Sequence, residues 1–302
     1  MSNLSLSGKG RLLRIYCLLW LSTFSFTAFA EKIEPKTEQS FKAEISKAQR
    51  IIALAPHIVE NLFAIGVGDK VVATTEHSDF PAQANDIPRI GNYARLKIEK
   101  ILTFDPDLII AWRTGNPSDD LARLKQLGLK IVYSDPIDLS DVAKELRFFG
   151  ELTGSEKQAE LKAQFFENKL LSIQDKYKNK KEISVFYELW SRPLTTIANN
   201  AWPQQILNAC GATNPFINSK TDYPQINVEQ VVLSKPQLII QPQSVGEMNA
   251  DAIDWQQWQE IPAASNKLLV EPNSDKLHRM SARLLNELEK LCMSIDTARA
   301  FY

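Results

Sequence analysis

Residues 93–110 read Y-A-R-L-K-I-E-K-I-L-T-F-D-P-D-L-I-I, and residues 223–240 repeat the pattern without a gap as Y-P-Q-I-N-V-E-Q-V-V-L-S-K-P-Q-L-I-I. Each copy has an aromatic residue, a glutamate six residues later, a short apolar helix, a proline and a buried strand. A supersecondary unit that recurs in this way predicts two lobes of one design. We therefore expect a functional site between the lobes.

The segments around the two blocks alternate between short apolar runs and helical patterns. Residues 51–54 are typical of a buried strand, Pro56 opens a helix, and Gly66 stands where a helix C-terminus favours glycine. Such apolar strands without polar alternation indicate parallel sheets covered by helices on both faces, hence an α/β fold. Further strands are expected at 71–73, 108–111, 131–133, 183–187 and 238–240.

One segment between the halves predicts a single long helix. Residues 155–178 contain no glycine or proline, and Ser155 and Gln158 have the spacing of a capping box. About 24 residues at 1.5 Å each would span roughly 36 Å, enough to join the two lobes and limit their closure. The apolar stripe of this helix comprises Ala159, Ala163, Phe166, Leu170, Ile173 and Tyr177.

The N-terminus has the features of an export signal. Basic residues precede an apolar run over 15–28, which ends in Ala28-Phe29-Ala30, so we expect cleavage after about Ala30. The polar segment that follows predicts a flexible leader, with ordered structure starting near Arg50. The expected organisation is a signal peptide (1–30), a leader (31–48), an N-terminal α/β lobe (49–150), a linking helix (151–181) and a C-terminal α/β lobe (182–302).

Two cysteines, Cys210 and Cys292, remain after that cleavage. An even pair in an exported protein is most simply a disulfide, and two buried thiols are the alternative.

Charge and motifs exclude several function classes. The formal net charge is −1 with no long basic run, so neither nucleic acid nor an anionic membrane surface is expected as a partner. No nucleophile elbow, phosphate-binding loop, zinc-protease or C-x-x-C motif occurs, and the histidines His57, His77 and His278 are scattered. The sequence therefore predicts a protein that is not an enzyme, although a catalytic set assembled only in three dimensions remains the alternative.

Aromatic residues mark the expected binding site. Tyr93, Trp112 and Tyr223 each stand at a loop or strand end beside a polar turn. Ligands of doubly wound folds bind at the carboxyl ends of strands, so these rings favour a large, flat, partly apolar ligand in the cleft. The alternative is that each ring closes the edge of a core. The polar residues expected to orient the ligand are His77, Arg113 and Asn116.

Glu99 and Glu229 form a second matched pair. Each stands at the start of a short helix, where a carboxylate interacts favourably with the helix dipole, and capping is one interpretation. The other is that each lobe presents one glutamate to a basic pocket of a symmetric partner.

Several stretches together resemble one family. They are residues 51–66 with the run P-x-x-x-E-x-L-F-A-x-G, 77–81 (H-S-D-F-P), 98–116 ending in A-W-R-T-G-N, 205–216 and 223–231. Over residues 50–294 the chain resembles the periplasmic cobalamin-binding proteins, the substrate-binding components of vitamin B12 ABC importers. The resemblance implies a class III periplasmic binding protein, with two α/β lobes joined by a single long helix.

The resemblance also implies roles for individual residues. The corrin-contacting aromatics fall on Tyr93, Trp112 and Tyr223, the docking glutamates on Glu99 and Glu229, and the family disulfide on Cys210 and Cys292. The chain departs from the family at His77, where a tyrosine is usual, and at Leu189 with Trp190 beside it, where a phenylalanine is usual; residues 241–258 match poorly. His77 could ligate the cobalt of the bound corrinoid, or could be a hydrogen-bonding side chain at the cleft mouth.

The function implied is capture of cobalamin or a related corrinoid in the periplasm and its delivery to the permease dimer of an inner-membrane ABC importer. Cobalamin would be the transported ligand and not a cofactor, and the free protein would be a monomer. The same scaffold binding haem or a ferric siderophore is the first alternative, and an exported enzyme is the second.

Overall fold

The computed structural model describes residues 47–244 and 252–302. The expected signal peptide and all but the last two residues of the expected leader lie outside the described residues. Ala48 is buried and its N–H donates to the carbonyl of Leu152 at 2.9 Å. Ordered structure therefore begins before Arg50, because Ala48 already belongs to the core.

The N-terminal lobe is built on a four-stranded parallel sheet. Its strands are β1 (Ile51–Ala53), β2 (Val71–Thr74), β3 (Leu108–Trp112) and β4 (Ile131–Ser134), in the spatial order β2-β1-β3-β4. They are buried along almost their whole length, as expected for parallel strands covered on both faces. The helices of this lobe are α1 (Pro56–Ala64), α2 (Ile98–Thr103), α3 (Ser118–Gln126) and α4 (Asp141–Thr153).

A single helix, α5 (Glu156–Tyr177), leads from this lobe to the next. Its 22 residues correspond to about 33 Å, and all six residues of the predicted apolar stripe are buried. The predicted capping box is wrong, because the hydroxyl of Ser155 donates to the carbonyl of Ile65 at 2.7 Å. Ser155 thus satisfies a carbonyl that is left open just beyond the end of α1.

The C-terminal lobe has a smaller parallel sheet and a hairpin. Its elements are β5 (Val185–Tyr187), β6 (Trp190–Ser191), β7 (Leu194–Thr195), α6 (Trp202–Ala209), α7 (Val228–Ser234), β8 (Leu238–Ile240), α8 (Pro262–Ser265), β9 (Leu269–Val270), α9 (Ser274–Leu277) and α10 (Leu284–Arg299). Parallel strands β5, β8 and β9 form the sheet in that order, and β6 pairs with β7 in an antiparallel hairpin.

The sequence repeat is also a structural repeat. Helices α2 and α7 begin at positions 98 and 228, and strands β3 and β8 begin at 108 and 238. Each of these strands pairs in parallel with the first strand of its own lobe. Even the connection between helix and strand is alike, since Asp105 and Lys235 occupy equivalent places and both have a left-handed backbone, with φ of 42° and 45°. The expectation of two lobes with one design is confirmed.

The lobes share a core on the side of the linking helix. One cluster of buried apolar residues runs from β1 and α4 through α5 to β5 and α10, including Ile51, Phe149, Phe166, Tyr187 and Leu288. A lobe rotation would break this packing, because close-packed interiors do not deform continuously. We therefore expect the angle between the lobes to change little.

The disulfide between Cys210 and Cys292 is present and joins the end of α6 to α10. On the chain-entropy model, a bridge of this loop length stabilises by roughly 4 kcal/mol. Within the described residues, no helix has both the length and the apolar character needed to cross a bilayer.

Candidate functional site

The loops at the carboxyl ends of the first sheet lie side by side. The loop after β2 contacts the turn at 91–96 through the N–H of Glu76, which donates to the carbonyl of Gly91 at 2.9 Å. His77 lies on the first of these loops and Tyr93 on the second. Trp112 ends β3, which lies between β1 and β4 in the same sheet. The structure thus groups three of the predicted residues at one edge of the sheet, where parallel folds bind ligands.

Tyr93 stands at the tip of a tightly held turn. The side-chain oxygen of Asn92 accepts from the N–H groups of Ala94 and Arg95 at 2.9 and 3.1 Å, which fixes the turn. Gly91 has φ of 135°, and a Cβ there would lie 2.3 Å from the carbonyl oxygen of Arg95, so only glycine fits. The Tyr93 side chain is 76% exposed, so it does not close the edge of a core.

Trp112 is half-buried and rests on Gly115. A Cβ built on Gly115 would fall 1.8 Å from Cε3 of the indole, so the ring occupies the space that any other side chain would need. The imidazole of His57 also contacts the ring, in a T-shaped arrangement with 5.5 Å between centroids and 83° between the planes. The indole is therefore held by contacts with a loop and with a buried ring.

A buried polar chain lies beneath Trp112. Nε2 of His57 is 2.8 Å from the hydroxyl of Ser134, and that hydroxyl donates to Glu145 on α4. Burial lowers the pKa of His57 to about 3, so its ring is neutral. Burial also raises the pKa of Glu145 to about 7, against the opposing effect of the Ser134 hydrogen bond. Glu145 is therefore partly protonated near neutral pH.

Arg113 and Asn116 follow Trp112 and have different partners. The guanidinium of Arg113 lies 3.2 Å from the carboxylate of Asp135 and 4.4 Å from the ring centroid of Tyr133, and its side chain is exposed. The Asn116 amide donates to the carbonyl of Leu54 at 2.8 Å and accepts from the Trp112 N–H at 2.7 Å. Asn116 therefore fixes the loop that presents Trp112, while Arg113 is exposed but paired with Asp135.

His77 differs from the other two histidines. Burial lowers the pKa of His278 to about 4, and its Nε2 lies 2.9 Å from the hydroxyl of Tyr187, so His278 belongs to the interior, as His57 does. His77 is exposed and has φ of 63°, a conformation rare outside glycine. No hydrogen bond or ion pair links its ring to another described residue.

The second lobe brings together Leu189, Trp190 and Tyr223. The N–H of Leu189 donates to the carbonyl of Thr195, and a bridge joins Thr195 to Gln225, so the β6–β7 hairpin lies against the segment that carries Tyr223. Trp190 is 63% exposed and Tyr223 is 48% exposed, whereas Leu189 packs partly against the core. Two large exposed rings thus lie on neighbouring segments of this lobe.

A buried carboxylate holds that surface in place. Glu188 accepts hydrogen bonds from the Ser191 hydroxyl, the Gln241 amide and the indole N–H of Trp255. These donors come from the hairpin, from the end of β8 and from the short turn at Trp255–Gln257, so one side chain ties three segments together. A carboxylate with three donors is well satisfied without a cation.

An ion cluster joins the lobes. Nη1 of Arg279 lies 3.0 Å from Oε1 of Glu60 on α1 and 2.5 Å from Oδ1 of Asp79, and Arg283 also reaches Glu60, at 2.8 Å. Beside it, the buried side-chain amide of Asn61 donates to the carbonyl of Met280 and accepts from the N–H of Ala282, both just before α10. Since Glu60 and Asn61 are buried, separating the lobes here would leave unpaired polar groups behind.

Glu99 and Glu229 occupy equivalent second positions of α2 and α7, and both are exposed. Neither acts as a side-chain cap. Helix α7 is capped by Asn227 and Gln230 in a reciprocal capping box, and the residue before α2 makes no side-chain cap bond. Arg123 is 3.7 Å from Glu99, which is a weak surface pair. Both carboxylates are thus exposed, and among the described residues Glu99 has only this weak surface pair.

Across residues 47–244 and 252–302, no group of His, Cys, Asp and Glu side chains could hold a metal ion.

The sequence profile of the periplasmic binding protein family matches residues 51–275. The chain belongs to the periplasmic binding protein family. Membership agrees with the two α/β lobes and the single linking helix.

Individual relatives narrow the comparison within this family. A vitamin B12-binding protein of Vibrio parahaemolyticus is 34% identical over 252 residues, covering 83% of this chain and 90% of its own. The crystal structure of BtuF, the periplasmic vitamin B12-binding protein of Vibrio cholerae, matches with a TM-score of 0.77 at 37% identity, over 83% of this chain and 98% of that one. The expected class III fold is thereby confirmed.

A more distant structure shares the fold alone. The periplasmic haem-binding protein RhuT of Roseiflexus matches with a TM-score of 0.74 at 20% identity, over 83% of this chain and 99% of that one. The scaffold therefore does not by itself distinguish the ligand.

Sequence reasoning missed the groups that support the site. Ser134 and Glu188 are embedded in strand ends and carry no motif, and Arg279 stands in a segment with no recognisable pattern. The one signal was the density of polar residues directly after apolar strands, as in Tyr133-Ser134-Asp135 and Tyr187-Glu188.

Proposed function

We propose that the chain captures cobalamin or a related corrinoid between its lobes in the periplasm and delivers it to an inner-membrane ABC importer. The observation that carries the proposal is a set of aromatic rings on the two lobes, the exposed Tyr93, Trp190 and Tyr223 and the half-buried Trp112, in a chain similar to vitamin B12-binding proteins at 34–37% identity. Cobalamin is the transported ligand, and no catalytic step is part of the proposal.

The rings suit a large flat ligand energetically. If each removes roughly 100 Å² of apolar surface from water, four rings contribute on the order of 10 kcal/mol before the costs of association. Tyr93, Trp112 and Tyr223 contact the corrin, and Trp190 with Leu189 extends the wall of the second lobe. His77 and Arg113 orient the polar edge of the ligand.

Preorganisation supports this use of the rings. Gly115 and His57 contact Trp112, Asn92 fixes the turn of Tyr93, and Glu188 ties down the hairpin that bears Trp190. A surface that is already ordered loses little side-chain entropy on binding. The shared core and the Glu60–Arg279 cluster favour a cleft that closes only slightly.

Delivery is assigned to the two exposed glutamates. Glu99 and Glu229 lie at equivalent positions in the two lobes, so a permease dimer with one basic pocket in each subunit would engage both at once. The expected signal peptide (1–30) brings the chain to the periplasm, and the free protein is a monomer of two lobes (49–150 and 182–302) joined by the linking helix (151–181).

Haem is the second candidate, because His77 is exposed and unpartnered within the described residues, as an iron ligand must be. A ferric siderophore fits less well, because an anionic ligand needs several unpaired Arg or Lys side chains in the cleft, and Arg113 is already paired with Asp135. Calorimetric titration of the mature chain with cyanocobalamin, cobinamide and haemin separates these ligands. Tight binding of a corrinoid and weak binding of haemin supports the proposal, and the reverse order rejects it.

A further inference from the structure

A cavity of about 430 Å³ lies where the linking helix meets both lobes. Its walls come from α1, from the segment after the loop of His77, from α5 and from the residues just before α10. None of the aromatic residues assigned to the cleft lines it. Small-molecule sites commonly have 300–1,000 Å³ and occur at domain interfaces, with apolar walls and a few polar groups. This cavity has those properties.

Four phenylalanine rings form the apolar part of the wall: Phe63, Phe80, Phe165 and Phe166. Two of them are unusually open, since Phe165 is 66% exposed and Phe80 is 41% exposed. Phe165 lies on the outer side of α5, whereas its neighbour Phe166 is part of the buried stripe. An occupant would cover rings that water now contacts.

The charged groups at the wall are two cations and one carboxylate. Lys162 is exposed and has no ion-pair partner among the described residues, and Arg283 pairs with Glu60 at 2.8 Å. The Arg283 guanidinium also stacks on Phe80 at 4.1 Å, and its buried Nε finds no hydrogen-bond acceptor within residues 47–244 and 252–302. Arg279 also binds Glu60, so this carboxylate is paired with two guanidinium groups. The three charged side chains that line the cavity, Lys162, Arg283 and Glu60, sum to one positive charge.

We propose that this cavity is a second binding site, which takes a small organic monoanion with an aromatic body. The rings supply the surface for the body, and Lys162 pairs with the carboxylate or sulfonate. The occupant touches α1 of one lobe, the start of α10 in the other and the linking helix between them. It does not compete directly with a ligand in the cleft, because the two sites share no residue.

The test uses 8-anilinonaphthalene-1-sulfonate as the probe and the folded mature chain. Calorimetry of the wild type is expected to show one saturable site. Phe165→Ala and Lys162→Ala remove exposed side chains and should each weaken binding roughly tenfold, the equivalent of 1.4 kcal/mol. Leu171→Ala and Lys157→Ala are matched controls on exposed positions of the same helix that do not line the cavity, and they should bind as the wild type does.

Two further arms locate the probe. The uncharged analogue N-phenyl-1-naphthylamine should bind the wild type roughly tenfold more weakly than the sulfonate does. Its affinity for Lys162→Ala should equal its affinity for the wild type. A saturating concentration of cyanocobalamin should leave sulfonate binding unchanged. The proposal is overturned if the wild type shows no saturable binding, if Phe165→Ala and Lys162→Ala bind like their controls, or if cyanocobalamin displaces the probe. Failure of cyanocobalamin itself to bind is measured separately and concerns the cleft alone.

Discussion

The indole of Trp112 lies against the Cα of Gly115, so closely that a methyl group on Gly115 would fall 1.8 Å from Cε3 of the ring. The loop after β3 can therefore present this ring only if position 115 lacks a side chain. A residue with no chemistry of its own thus sets the position of a proposed ligand contact.

Gly115→Ala is expected to lower the affinity for cyanocobalamin by at least about tenfold, because the indole must leave its place to admit the methyl group. The melting temperature should fall only slightly, since the loop is at the surface. Thr114→Ala, at the exposed neighbouring position, serves as the control and should bind normally. Unchanged affinity of Gly115→Ala in a calorimetric titration would remove Trp112 from the binding surface.

Glu145 makes stability depend on pH. Its pKa is raised from 4.5 to about 7 by burial, so between these values the folded state holds more protons than the unfolded state. The contribution of Glu145 to the free energy of unfolding should therefore fall as pH rises through this window, by up to about 3 kcal/mol, whereas His57 and His278, whose pKa values are lowered by burial, contribute in the opposite direction up to about pH 6.5. Denaturant unfolding at pH 5 and pH 8 measures the change.

Glu145→Gln should lack this contribution, because glutamine does not titrate, so from pH 5 to pH 8 its free energy of unfolding should shift upward relative to that of the wild type by up to about 3 kcal/mol. Glu156→Gln, at an exposed position at the start of α5, should retain the contribution of Glu145. If Glu145→Gln keeps the full pH dependence, the buried chain beneath Trp112 does not titrate in this range.

The elements that could be predicted were those that depend on sequence patterns within a short segment of the chain. The repeat located α2, α7, β3 and β8, and the absence of glycine and proline over residues 155–178 located the linking helix. Both depend on periodicity within about twenty residues. The capping-box prediction was wrong because the hydroxyl of Ser155 donates to the carbonyl of Ile65, which is 90 positions away in the sequence.

The supporting groups of the site could not be predicted for the same reason. His57 and Ser134 are 77 positions apart, and Glu60 and Arg279 are 219 apart, so only the fold brings them together. Asn116 shows a structural use that its sequence position did not indicate, and its role as a ligand contact stays a prediction. Its amide donates to the carbonyl of Leu54 and accepts from the N–H of Trp112.

His77 offers a direct test of metal coordination. If its imidazole ligates the cobalt, His77→Ala should change the visible spectrum of bound aquocobalamin and weaken binding. If His77 only hydrogen-bonds at the cleft mouth, the spectrum should stay the same and affinity should fall by less than about tenfold, as expected for one exposed hydrogen bond. We predict the second result, and a spectral shift would contradict it.

Charge reversal tests the docking surface. Glu99→Lys combined with Glu229→Lys should abolish association with the importer, because two basic pockets would meet two cations, while binding of cyanocobalamin stays normal. Glu99→Lys alone should weaken association less than the double variant does. Reversal of Glu156, exposed on α5, should have no effect. Retained association of the double variant would reject the docking role.

The central claim is that cobalamin binds between the lobes against the paired tyrosines. Calorimetric titration of cyanocobalamin into the wild type and into the Tyr93→Ala/Tyr223→Ala variant tests it most directly. The expected result is a 1:1 complex of the wild type and at least about 100-fold weaker binding by the variant, since each ring contributes roughly 2.5 kcal/mol of apolar contact. No heat with the wild type, or equal affinity of the two proteins, would contradict the claim.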